Sequence, residues 1–78
     1  MNILGRMNSA DIQIKDPYVS RKHLSIDLIS DNSLTLMDLG SSNGLYVKGK
    51  KVPNAILSEG DRFIVGKTQL TISSKKEG

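Results

Sequence analysis

Three short segments gather the side chains able to hold an anion: Gly5-Arg6, Ser20-Arg21-Lys22-His23 and Ser41-Ser42-Asn43-Gly44. An arginine guanidinium is a planar fork of donors that meets phosphate oxygens two at a time. A serine hydroxyl adds one directed hydrogen bond. An asparagine carboxamide donates and accepts at once, which suits the N–H and C=O of an extended peptide. Asn43-Gly44 is also a good turn dipeptide, because glycine permits backbone geometry that a Cβ disfavours. The set is equipment for gripping a phosphate together with one stretch of peptide.

The same residues serve other chemistries poorly. Ser20 and His23 imitate part of a nucleophilic site. A hydrolase, however, needs three converging side chains and an oxyanion hole, and closeness in sequence supplies neither. Gly60-Asp-Arg-Phe-Ile-Val-Gly66-Lys67-Thr68 imitates a P-loop but has five residues between its glycines. A P-loop is a turn leading into a helix, whereas Arg62 to Val65 reads as a strand. With no cysteine and one histidine, a disulfide framework, a thiolate metal site and a multi-histidine site are excluded. No cofactor is implied. Two tyrosines and one phenylalanine are the only aromatic residues, too few and too scattered for a nucleic-acid stacking groove. No segment has the length of a bilayer span or the character of a signal peptide. The expected compartment is the cytoplasm, or the nucleus of a eukaryote.

Eleven Lys+Arg against eight Asp+Glu give a net charge of +3. That surface favours anionic partners without identifying one.

The elements that must position these residues have a period of two. Ile12 and Ile14, then Leu24, Ile26 and Leu28, then Leu34, Leu36 and Asp38 alternate with other residues. Gln69 to Ile72 does the same, and Leu45-Tyr46-Val47 and Phe63-Ile64-Val65 are short strand-prone runs. Turn formers separate them: Asp16-Pro17, Ser30-Asp31-Asn32, Gly40 to Gly44, Lys48-Gly49-Lys50, Pro53-Asn54 and Ser58 to Asp61. Many short strands with no helical stripe predict an all-β sandwich or barrel. The 78 residues make a single domain, and 73–78 read as a frayed polar tail.

The order and spacing of the three segments resemble those of a forkhead-associated (FHA) domain, a β-sandwich of short, mainly antiparallel strands that binds phosphothreonine. The family pattern is Gly-Arg, then Ser-x-x-His, then Ser-x-Asn-Gly. Here these are Gly5-Arg6, Ser20 to His23 and Ser41 to Gly44. The resemblance runs from about Leu4 to Ile72, with Asp38-Leu39 before the third motif and Gly60-Asp61 near the end. It implies recognition without catalysis. Arg6 would clamp the phosphate, Ser20 would bond a phosphate oxygen, and Arg21 would make a further phosphate or peptide contact. Ser42 and Asn43 would hold the peptide. Gly5, His23, Asp38 and Gly44 would support the loops. The implied partner is a phosphothreonine-containing protein, with neither nucleic acid nor membrane. A phosphate-independent interaction or dimerisation module on the same fold is the alternative.

Chains this short have little margin of stability. The family pattern places two strands before the one ending in Gly-Arg, and only Met1 to Leu4 precede Gly5 here. The expectation is a sandwich lacking its first two strands, with an unpaired sheet edge and a homodimer as compensation.

Overall fold

The computed structural model describes residues 1–73, so 74–78 of the expected tail lie outside the described residues. Nine strands follow one another: β1 (Asn2–Gly5), β2 (Ile12–Gln13), β3 (Leu24–Leu28), β4 (Ser33–Asp38), β5 (Leu45–Val47), β6 (Lys50–Val52), β7 (Asn54–Ser58), β8 (Arg62–Val65) and β9 (Thr68–Thr71). They form a five-stranded sheet, β2-β1-β3-β4-β7, and a four-stranded sheet, β6-β5-β8-β9. Only β1 and β2 pair in parallel; every other pairing is antiparallel.

Alternation explains which residues meet. Leu24 and Ile26 of β3 sit opposite Asp38 and Leu36 of β4, and Leu34 opposite Leu57 of β7. Phe63 and Val65 of β8 sit opposite Leu70 and Thr68 of β9. The inward rows of the two sheets, with Leu4, Val19 and Leu45, make one core. Leu4, Leu24, Leu36, Leu45 and Val65 are fully buried.

The sequence reading anticipated every strand except β6 and β7, with β1 implied only by the family resemblance. Lys50-Lys51-Val52 has no apolar alternation. In Asn54-Ala-Ile-Leu-Ser58 the run Ala55-Ile56-Leu57 masks the period of two, because Leu57 turns inward while Ile56 is 71% exposed. Tight hairpins complete the second sheet. Lys48 and Gly49 both have positive φ, 52° and 76°, the combination of a type I′ turn. Gly66, at φ 59°, starts the two-residue turn between β8 and β9.

The strand pairing gathers the ends that matter. Gly5 closes β1, the segment 14–23 leads into β3, and the segment 39–44 leaves β4 and enters β5. Leu4 pairs with Leu24, and Leu24 with Asp38, so the three loops emerge side by side at one end of the sandwich.

Candidate functional site

The site is a set of loops tied to one another through backbone groups. Arg6 N–H donates to the carbonyl of Ser20 at 3.0 Å, and His23 N–H donates to the carbonyl of Leu4 at 2.9 Å. Gly5 is where the first and second segments touch. A Cβ added there would lie 2.0 Å from the carbonyl oxygen of Arg21, so close approach, not turn geometry, requires this glycine.

His23 is 0% exposed. Its Nδ1 accepts the N–H of Ser20 at 3.0 Å, which puts the ring proton on Nε2. Nε2 then donates to the carbonyl of Gly44 at 2.7 Å. One buried imidazole thus joins the second loop to the third. Its backbone carbonyl extends the tie by accepting the N–H of Leu39 at 2.9 Å.

Asp38 and Ser41 shape the third loop. Asp38 accepts the N–H of Ser41 at 3.3 Å through Oδ2 and the hydroxyl of Ser41 through Oδ1. The Ser41 oxygen accepts the N–H of Gly44 at 2.9 Å. Gly44 has φ 86°, in the left-handed region that favours glycine. Ser42 N–H donates to Ser20 Oγ at 3.0 Å, and Asn43 Nδ2 donates to the carbonyl of Tyr18 at 2.7 Å.

These ties leave a definite set of groups unused. Arg6 Nε donates to the carbonyl of Val19 at 3.0 Å, fixing the fork while its terminal nitrogens remain available. Ser20 Oγ accepts one bond and keeps its own proton to give. Asn43 keeps its carbonyl oxygen and its second N–H. Arg6 and Arg21 share a shallow depression with Met7, Asn8 and Ser9. Among the described residues neither arginine has a carboxylate within ion-pair distance. Two guanidiniums that no described carboxylate neutralises are chemically able to take an anion. Arg6, Ser20, Arg21, Ser42 and Asn43 therefore all stand at one end of the fold, with Gly5, His23, Asp38 and Gly44 beneath them.

Asp16, read from the sequence only as part of a turn, positions the second loop. It is 7% exposed. Its carboxylate accepts the N–H of Tyr18 at 2.8 Å, the N–H of Lys67 at 2.7 Å and the hydroxyl of Thr68 at 2.8 Å. The loop carrying Val19 and Ser20 is thereby pinned to the β8–β9 turn. The ammonium of Lys67 lies 4.5 Å from the centroid of the Tyr18 ring. The Tyr18 N–H holds the Asp16 carboxyl below its ordinary value of 3.8, with Lys67 and Thr68 adding to the effect and burial opposing it. The local signal was Asp16-Pro17-Tyr18, an Asx-turn sequence. Nothing local reveals partners 51 and 52 residues away.

Comparison with known proteins agrees with this architecture. The family model of the FHA domain matches residues 2–66. The glycogen accumulation regulator GarA of Mycobacterium tuberculosis is 37% identical over 75 residues, 95% of this chain and 46% of that protein. The chain thus spans about half the length of the curated relatives it matches. Among solved structures, the FHA domain of the CT664 protein from Chlamydia trachomatis is 34% identical, with a TM-score of 0.85, over 96% of this chain and 76% of that one. An FHA domain studied for its phosphothreonine-dependent interactions is 32% identical, also with a TM-score of 0.85, over 97% of this chain and 78% of that one.

Proposed function

This chain belongs to the FHA domain family, and from that premise we propose that it binds phosphothreonine-containing protein segments through the three loops at the β1 end of the sandwich. FHA domains are non-catalytic interaction modules that in general bind phosphothreonine peptides. In the proposed complex Arg6 clamps the phosphate, and Ser20 donates its hydroxyl proton to a second phosphate oxygen. Arg21 closes the other side. Ser42 and Asn43 hold the peptide backbone, Asn43 with the carboxamide groups that Tyr18 leaves free.

One observation carries the reading. The Arg6 fork is oriented through Nε onto Val19 while no described carboxylate neutralises it. A cation fixed in direction yet left unpaired is preorganised for an anion, which cuts the ordering cost of binding.

Phosphothreonine carries between one and two negative charges at neutral pH, with its second pKa at about 6. Affinity is expected to fall as pH drops through about 6, because protonation removes charge from the ligand. Calorimetric titration with a library of phosphothreonine peptides and their unphosphorylated twins tests the function. The intact chain should prefer phosphorylated members. Arg6→Ala should weaken the best of them by about ten- to a hundredfold, the range for a lost hydrogen bond to a charged group. Equal binding of each peptide and its twin would sink the function, and unchanged affinity in Arg6→Ala would sink the site.

A further inference from the structure

The turn between β1 and β2 holds a donor that none of the three motifs includes. Ala10 N–H donates to the carbonyl of Met7 at 3.1 Å, closing a β-turn with Asn8 and Ser9 at its centre. The root of the turn is tied to the second loop, where Met7 N–H donates to the carbonyl of Arg21 at 3.4 Å. Arg6, Met7, Asn8, Ser9 and Arg21 line one depression, so this turn is the wall beside the two guanidiniums.

Gln13 of β2 fixes which way the Asn8 carboxamide faces. Its Nε2 donates to the carbonyl of Arg6 at 3.3 Å and to Asn8 Oδ1 at 2.9 Å. A backbone carbonyl can only accept, so the Gln13 group at this junction must be its N–H2. That N–H2 in turn requires an acceptor from Asn8. Asn8 Oδ1 therefore points to Gln13, and Nδ2 lies on the other branch of the carboxamide. The brace is itself anchored. Gln13 sits opposite Gly5 in the parallel β1–β2 pair, and Ile14 N–H donates to the carbonyl of Gly5 at 2.9 Å. Asn8 is exposed, and among the described residues no acceptor takes its Nδ2 protons.

We infer that Asn8 is a further phosphate-binding residue, donating from Nδ2 to a phosphate oxygen held by Arg6 and Arg21, and that Gln13 is the residue that positions it. The inference rests on the phosphothreonine reading proposed above and adds a ligand group outside the three motifs. A phosphate monoester presents three acceptor oxygens. A carboxamide serves one of them without setting a third like charge beside Arg6 and Arg21. Orientation decides the sign of the contact. A flipped carboxamide would turn its carbonyl oxygen to the anion, and the Gln13 bond holds it from flipping.

Calorimetric titration of the full chain with its best phosphothreonine peptide reads both roles. Asn8→Ala should weaken binding by about tenfold, the lower end for a lost hydrogen bond to a charged group. No charge is removed, so the fall of affinity with salt should match that of the parent. Gln13→Ala should weaken binding by about threefold, and in the double variant this step should shrink below about twofold, since the group it orients is gone. In a 1H–15N spectrum the side-chain amide of Asn8 should shift on adding free O-phosphothreonine but not threonine. Urea unfolding checks that the variants keep the parent's stability. Unchanged affinity in Asn8→Ala, or a stationary Asn8 amide, overturns the binding role. A Gln13 step of full size in the absence of Asn8 overturns the positioning role. Binding lost in Arg6→Ala but kept in Asn8→Ala removes Asn8 alone and leaves the proposed function standing. A parent chain that binds no phosphothreonine peptide brings down that function and this inference together.

Discussion

Gly5 marks the residue scale at its most exacting. Since a Cβ would sit 2.0 Å from the carbonyl of Arg21, Gly5→Ala must push the second loop away from β1. A destabilisation of about 1–3 kcal/mol is expected, as for other overpacked sites, measured by urea unfolding together with weakened phosphopeptide binding. Asp16 gives a prediction of opposite kind. Its carboxyl titrates below 3.8 in the folded protein, chiefly because Tyr18 N–H bonds the charged form. Folding therefore gains stability from Asp16 that is fully present above pH 3.8 and disappears as pH falls through the folded value. Asp16→Asn should lower stability at neutral pH and flatten the acid limb of the stability–pH curve. An unchanged acid limb would remove Asp16 from this role. At this scale the residues of the three loops were legible because their order and spacing match the family's motifs, and the fold brings them to one end of the sandwich. Ser41 was legible only as part of a motif. Its place between Asp38 and Gly44 depends on how the third loop folds back on itself, and the Asp16 ties depend on the turn of a distant hairpin.

The β5–β6 hairpin carries the element-scale prediction. Lys48 is the one non-glycine residue with positive φ among those described, at 52°, a conformation that costs an L-residue about 1–2 kcal/mol. Asparagine tolerates it better and would make Asn-Gly, the favoured pair for this turn. Lys48→Asn is expected to stabilise the fold by about 0.5–1 kcal/mol. That corresponds to a rise in Tm of about 2–8 °C in a domain of this size, read by calorimetry; a fall in Tm would contradict the turn assignment. Strands such as β3 and β4 were legible because each shows one face to the core and one to solvent. β6 was not, since its three residues lie at an edge and owe their conformation to the hairpin. β7 was hidden by Ile56, whose exposure breaks the link between apolar character and burial.

At the scale of the whole molecule, which strand neighbours which was not legible, because pairing partners are set by closure of a sandwich and not by any one segment. Strand content and the end at which the loops gather followed from the sequence and its family resemblance; the division into a five-stranded and a four-stranded sheet did not. His23 offers a means of watching the loops. It is the sole histidine of the chain, sealed from solvent, with each ring nitrogen committed to a different loop. In an NMR spectrum its imidazole nitrogens form a solitary, self-assigned pair, and its Nε2 proton is shielded from solvent. A single resonance thereby becomes a spectroscopic gauge of whether the two loops are still clasped as ligand or acid is added.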